Sequence, residues 1–148
     1  MKRIDYSGNE LRTDGYYYRQ VEGKTYRRTI VMFLFKNGIV LEAGSFSTHD
    51  LSKVEEKMVG DYKYLYKYKS GWGLFSVDLN AFQYEEWAES PSGASLSTYK
   101  YFGYIENDTT IHITESYYSG KNETKQIDEV WHFKQFDNKP DSTNVYIK

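Results

Sequence analysis

The strongest constraint on the fold is a predicted hairpin turn at Asn37-Gly38. This turn joins two runs rich in β-branched and aromatic residues, 29–35 and 39–44. Asn-Gly is a preferred two-residue hairpin turn because both positions tolerate a positive φ. With these two residues as the loop, Lys36 would face Ile39, and the register of the whole ribbon can be counted from that pair.

Both faces of this ribbon are predicted to be largely apolar. One face pairs Leu34 with Leu41, Met32 with Ala43 and Ile30 with Ser45, and the other pairs Phe35 with Val40, Phe33 with Glu42 and Val31 with Gly44. A ribbon with one face in water shows a cleaner alternation of apolar and polar residues. We therefore expect it to lie between a barrel interior and an outer cover, either a packed helix or a second subunit.

Further strand and turn signals occur along the rest of the chain. The eight predicted strands are 16–21, 29–35, 39–44, 71–77, 81–87, 97–106, 109–118 and 124–136. Turns are predicted at residues 78–80 and at Asn107-Asp108, and a loop with proline and glycine at residues 89–94.

One amphipathic helix is predicted over residues 50–58, after the third strand. Leu51, Val54 and Met58 would share its apolar face. The candidate N-caps are Thr48 and Asp50, a capping box is suggested by Ser52 and Glu55, and Gly60 is the expected terminator.

Consecutive strands joined by short turns predict an all-β fold, an eight-stranded antiparallel up-and-down barrel with one short α-helix after the third strand. The chain contains 16 Tyr and 8 Phe, so an open sheet of these strands would expose aromatic edges that promote aggregation. Closure of the barrel removes those edges. Residues 1–148 are expected to form a single domain, with a polar lead-in at 1–13 and a C-terminal tail at 137–148.

Composition excludes several classes of function. There is no cysteine, which excludes disulfides, a thiolate nucleophile and cysteine-ligated metals. The net charge is -2, so no overall field favours nucleic acid. The longest apolar run, residues 30–35, is too short to span a membrane. No apolar signal stretch follows residues 1–6. The sequence leaves the location unknown: it is cytoplasmic if this sequence is the whole product, and exported or in the cell envelope if a leader was removed.

Catalytic chemistry is not indicated. His49 lies at the helix entry, and His112 and His132 are predicted on the wetter faces of their strands. Glu85 and Glu86 are adjacent in a strand and must point to opposite faces, so they cannot act together as acid and base, and both are expected to be surface charges. No phosphate-binding loop or nucleophile elbow is present. We expect no enzyme activity, no cofactor and no metal site.

The order of motifs resembles that of the lipocalin-like (calycin-like) small β-barrel proteins, in particular bacterial single-domain members. The resemblance rests on residues 32–40 followed by a helix, on Gly71-Trp72-Gly73, on residues 101–105 and 111–113, and on a closing strand with Trp131-His132-Phe133. It covers roughly residues 14–136. It implies an eight-stranded barrel with a ligand-binding interior.

An eight-stranded barrel is just wide enough to be filled by its own side chains or to hold one small ligand. The predicted inward, candidate ligand-binding residues are Met32, Leu34, Leu41, Phe75, Tyr84, Phe102, Tyr104, Ile111, Ile113, Trp131 and Phe133. If a cavity exists, these walls suit a small apolar or amphipathic ligand. The alternative is a packed barrel that docks a protein or glycan through outer tyrosines, namely Tyr16, Tyr18, Tyr99, Tyr101 and Tyr118. A homodimer is a further alternative.

Overall fold

The computed structural model describes residues 1–88 and 97–148, and in these ranges eight strands and one helix alternate as the sequence predicts. The predicted loop at residues 89–94 lies outside the described residues. The elements are β1 (Gly15–Glu22), β2 (Arg27–Leu34), β3 (Ile39–Phe46), α1 (Leu51–Leu65), β4 (Trp72–Asp78), β5 (Ala81–Trp87), β6 (Thr98–Asn107), β7 (Thr110–Tyr118) and β8 (Glu123–Gln135).

The strands form a closed antiparallel barrel in which each strand pairs with its sequence neighbours. Closure comes from β1 and β8, which pair from Gly15 opposite Gln135 to Tyr18 opposite His132. The predicted fold class, including the helix after the third strand, is therefore confirmed. In the described ranges, α1 is too short and too polar to cross a bilayer.

The first hairpin has a three-residue connection rather than the predicted two-residue turn. Gly38 N–H donates to the Phe35 carbonyl, and Gly38 has a φ of 83°, which suits glycine. Phe35 consequently lies opposite Ile39, and Leu34 pairs with Val40 instead of Leu41. The predicted pairs near the turn are thus wrong by one residue.

A β-bulge at Ala43 restores the predicted register further from the turn. The pairing shifts between Val31 and Met32, so that Met32 lies opposite Glu42 while Val31 lies opposite Gly44. Gly44 has a φ of 116°. An extra residue on one strand reverses the facing of every later side chain, so the bulge decides which residues of β3 reach the interior.

Helix α1 begins where predicted and continues past Gly60 to Leu65. Asp50 is the N-cap and accepts a hydrogen bond from Ser52 N–H, 3.0 Å away. The predicted capping box is absent from α1, because Glu55 instead receives hydrogen bonds from Tyr16 and Lys134. The helix extends beyond the predicted terminator because its later apolar residues continue to pack on the barrel.

Within residues 1–88 and 97–148, the buried side chains form two clusters, one inside the barrel and one outside it. The outer cluster lies between the barrel wall and α1, and its buried members are Tyr16, Val31, Phe33, Phe35, Ile39, Leu41, Ala43, Phe46, Val54, Met58 and Trp72. The C-terminal residues Tyr146 and Ile147 also pack against it. Helix α1, one of the two covers expected from the sequence, therefore packs on this face of the barrel.

The N-terminal segment plugs one end of the barrel. Leu11 is buried in the inner cluster, and Tyr6 packs against Phe75 with ring centroids 5.7 Å apart. The Tyr17 hydroxyl lies 3.1 Å from the carbonyl oxygen of Asp108 in the β6–β7 turn. We call this the plugged end, and the opposite end, which carries the β1–β2 and β7–β8 turns, the far end.

Candidate functional site

Most of the predicted inward residues lie where expected. Buried in the inner cluster are Met32, Leu34, Phe75, Tyr84, Ile111, Ile113 and Trp131, and Phe133 is partly buried against them. Together with Tyr17, Phe82 and the plug, these side chains fill the barrel from the plugged end to its middle. Their role as ligand contacts stays a prediction.

Three predicted inward residues point elsewhere. Leu41 faces α1 in the outer cluster, because the three-residue turn moves Val40 into the interior. On β6, Ile105 pairs with Ile111, and Tyr104 lies opposite His112 with 43% of its surface exposed. Phe102 has the same parity as Tyr104 and is half-buried outside both clusters. A one-residue slip at each turn therefore explains all three errors.

Above this apolar half, toward the far end, the interior carries charged side chains. Glu42, Glu86, Glu129 and Arg19 each lie two residues from an inner-cluster side chain of the same strand. Side chains two apart along a strand share a face, so all four point inward. Three carboxyl groups and one guanidinium thus meet in a partly dehydrated layer, which we call the polar layer.

Glu86 is the most buried member of the polar layer, with 7% of its surface exposed. Burial raises the pKa of its carboxyl group well above the ordinary value, and the nearby charge and hydrogen bond of Glu42 raise that pKa further. With both carboxylates ionised, Oε2 of Glu86 has no hydrogen-bond donor in the described part of the chain. Glu86 therefore needs either a proton or a positively charged partner, and the described residues supply no such partner.

Glu129 is the one carboxylate of the polar layer with a described ionic partner. Arg19 Nη2 lies 3.0 Å from Glu129 Oε2, and the Arg19 guanidinium lies 5.5 Å from the centre of the Trp131 ring. Burial raises the pKa of Glu129, whereas Arg19 lowers it. Because Arg19 is committed to Glu129, it leaves Glu42 and Glu86 without a counter-charge among these four side chains.

Four tyrosines form a stacked ladder beside the polar layer. Tyr84 stacks on Tyr101 at 4.4 Å between ring centroids, Tyr101 neighbours Tyr99 at 6.0 Å, and Tyr99 stacks on Tyr118 at 4.6 Å. Tyr84 is buried and the other three are half-buried. The ladder therefore rises along β5, β6 and β7 from the interior to the far end.

The ladder corrects the predicted outer tyrosine surface. Tyr99, Tyr101 and Tyr118 lie on the ladder, and Tyr16 is fully buried beneath α1. Tyr18 is half-buried and packs against the outer cluster. These five side chains do not form one exposed surface. The docking alternative rested on such a surface and therefore loses its support from the sequence.

A gap in the barrel wall opens onto the polar layer. β3 pairs with β4 only from Ile39 to Leu41, so the rest of β3 is flanked by the α1–β4 connection instead of by a strand. In this gap lies a cavity of about 520 Å³. Its lining includes Glu42, Glu86, Tyr99 and Tyr101 from the barrel, and Tyr64 and Tyr68 from α1 and the connection. The cavity therefore joins the outer surface to the inward carboxylates.

The remaining candidate groups lie away from this cavity. The His49 ring contacts the Val21 carbonyl at 3.0 Å, His112 stacks on Tyr104 at the outer wall, and His132 is exposed. Glu85 faces outward and pairs with Lys100 at 3.4 Å. Within residues 1–88 and 97–148, no three His, Cys, Asp or Glu side chains are grouped to hold a metal ion.

Sequence reasoning predicted the opposite facing of Glu85 and Glu86 but placed both at the surface. For Glu86 this is wrong. A signal was present, since Glu86 shares its parity with Phe82 and Tyr84, which are buried. Glu129 likewise interrupts the apolar parity of Ile127 and Trp131. On two strands, therefore, a glutamate occupies a position where the alternating pattern calls for an inward apolar residue. That pattern indicates a polar layer inside the barrel.

Comparisons of the chain with models of protein families, with curated proteins and with solved structures gave no match. The closed eight-stranded antiparallel barrel is compatible with a calycin-like fold. The fold and the site geometry therefore carry the functional inference.

Proposed function

We propose that this protein is a non-catalytic, lipocalin-like binding protein that holds one small amphipathic ligand. The ligand would lie in the cavity at the wall gap and reach the polar layer, rather than the apolar half of the interior. The single observation that carries this proposal is the cavity of about 520 Å³ lined by both tyrosine rings and carboxyl groups. Pockets for small molecules usually measure roughly 300–1,000 Å³.

The division of the interior supports this location. Toward the plugged end, Trp131, Tyr17 and Phe75 are almost fully buried against one another and the plug, so that half is occupied by the protein itself. Toward the far end, Glu86 Oε2 and Arg19 Nε are buried without hydrogen-bond partners in the described ranges. Buried polar groups are normally satisfied, and Glu86 lines the cavity, so a bound polar group can supply its partner.

The mixture of groups supports an amphipathic ligand rather than a purely apolar one. Tyrosine rings offer flat apolar surface, and their hydroxyl groups can orient a ligand. A hydrocarbon alone would leave the buried Glu86 without a partner, which costs free energy. A ligand with a polar head and an apolar body would satisfy both parts of the lining.

The proposal is tested by titrating the protein with Nile red, an uncharged dye that fluoresces in apolar surroundings. We expect saturable binding of one dye per chain, together with quenching of tryptophan fluorescence. Tyr101→Ala should weaken binding about tenfold by removing a lining ring. Tyr104→Ala is the matched control, since Tyr104 is an exposed tyrosine on the outer face of the same strand. Absence of saturable binding, or equal losses in both variants, would contradict the proposal.

A further inference from the structure

The charges of the polar layer do not balance, and this imbalance bears on the nature of the ligand. Arg19 is engaged by Glu129 at 3.0 Å. The carboxyl group of Glu42 lies close to that of Glu86 inside the barrel, where its charge and hydrogen bond raise the pKa of Glu86. These two carboxyl groups line the cavity, and the other described lining residues carry no positive charge.

A second observation, the burial of Glu86 without a hydrogen-bond donor, favours a positively charged ligand. Glu86 is more than nine-tenths buried, and its Oε2 atom lacks a donor among the described residues. A buried carboxylate is costly unless it is paired and hydrogen-bonded. Its side chain also lines the cavity, so a group entering from the wall gap can reach it.

The tyrosine ladder supplies the other half of a cation site. Tyr101 and Tyr99 line the same cavity as Glu42 and Glu86. The faces of tyrosine rings attract positively charged groups, and aromatic cages recognise organic ammonium ligands by this attraction. A ring ladder that continues from Tyr84 to Tyr118 also provides a path for an apolar chain.

We propose that the ligand is an organic ammonium ion, an amine with an alkyl or aryl body, whose positive head lies between Glu42 and Glu86 and whose body lies along the tyrosine ladder. This inference rests on the proposed function, because it names the chemical class of ligand for the same cavity. The ammonium group would donate hydrogen bonds to both carboxylates. Charge-assisted hydrogen bonds of this kind are stronger than neutral ones.

The experiment compares octylamine, 1-octanol and octanoate at pH 7, which share a chain length and differ in the charge of the head. Displacement of bound Nile red measures the binding of each compound, and calorimetry gives the Kd of each compound independently. We expect octylamine to bind at least about tenfold more tightly than octanol, and octanoate to bind least tightly.

Variants then locate the head group. Glu86→Gln should remove about tenfold of the octylamine affinity while leaving octanol binding within about twofold. Glu85→Gln is the matched control, because the neighbouring carboxylate faces outward and pairs with Lys100. Glu42→Gln provides a second test at the other carboxylate, and circular dichroism confirms that each variant is folded.

The outcomes separate the two proposals. Equal binding of all three octyl compounds, a preference for octanoate, or octylamine binding that is unaffected by both Glu86→Gln and Glu42→Gln would overturn the ammonium inference and leave the proposed function standing. Failure of Nile red and of all three compounds to bind would overturn the proposed function itself.

Discussion

The hydroxyl group of Tyr16 donates a hydrogen bond to Glu55 Oε2 across 3.1 Å, which links β1 to the middle of α1. The same carboxylate accepts a hydrogen bond from Lys134 of β8, with Nζ 2.8 Å from Oε1. Glu55 therefore contacts both strands of the seam that closes the barrel. Hydrogen bonds to β1 and β8, in addition to apolar packing, therefore hold α1 across this seam.

Tyr16→Phe is expected to lower the free energy of unfolding by about 1 kcal/mol, because it leaves the apolar ring in place and removes one hydrogen bond to Glu55. Lys134→Met should cost less than about 1 kcal/mol, since 41% of the Lys134 side chain is exposed and surface ion pairs contribute little. Urea denaturation measures both values. A larger loss in Lys134→Met than in Tyr16→Phe would contradict this description of the seam.

Met58→Ala should destabilise the protein by about 2–5 kcal/mol, because the side chain is 1% exposed between α1 and the barrel wall and its removal leaves a cavity. Val59→Ala is the control on the neighbouring residue, which is 43% exposed. The same urea denaturation series compares the two variants. Similar losses in both would show that α1 does not cover the outer cluster.

Gly38→Ala and Gly60→Ala should change stability in opposite directions. A Cβ atom on Gly38 would meet the carbonyl oxygen of Ile4, and the φ of 83° is unfavourable for alanine, so we expect a loss of more than about 1 kcal/mol. Gly60 lies inside α1 with open space around its Cβ position, so alanine should add up to about 1 kcal/mol. Thermal unfolding gives the sign of each change, and a stabilising Gly38→Ala would refute the turn geometry.

Glu86→Gln is expected to stabilise the protein without ligand at neutral pH, by at least about 1 kcal/mol. The folded state raises the pKa of Glu86 above its unfolded value, so its favourable contribution is complete at acidic pH and is lost as the pH rises through the folded pKa. Glutamine does not ionise, and its amide can donate a hydrogen bond to Glu42. The gain should therefore grow from about pH 4.5 upward in unfolding measurements, and a gain that is constant with pH would contradict the burial of the charge.

Lys139→Met should remove a pH-dependent part of the stability. Burial lowers the pKa of Lys139 to about 8, while its Nζ lies 2.6 Å from the carbonyl oxygens of Thr13 and Leu34. The unfolded chain holds this proton more tightly, so stability should rise as the pH increases above about 8 in the wild type. From pH 8 to 9.5 the rise is about 2 kcal/mol relative to Lys139→Met. Lys53→Met, at an exposed helix position, should leave the rise intact.

The fold could be predicted from the sequence because its signals are local and repeated. Turn residues at Asn37-Gly38 and Asn107-Asp108 separate strands of alternating pattern, and a single amphipathic run indicates one helix. Register was less predictable, because it depends on whether a turn contains two or three residues and on bulges such as that at Ala43. Each such choice moves side chains by one position and reverses their facing.

The candidate site was less predictable for a different reason. An apolar interior can be inferred from parity, and Trp131 and Tyr84 were placed correctly in this way. A buried carboxylate such as Glu86 contradicts the average behaviour of its residue type, since glutamate is rarely fully buried without a partner. The wall gap depends on where β4 begins relative to β3, and this offset is a property of the assembled barrel and not of either strand alone.

The bulge on β3 has a consequence for the volume available at the far end. If β3 paired with β2 regularly, without the bulge, Phe46 would share the facing of Val40 and Glu42, and its ring would point into the interior. With it, Phe46 turns to the helix side and Ser45 takes its place opposite Ile30. The bulge thus keeps a phenyl ring out of the far end of the interior and leaves the smaller Ser45 side chain there.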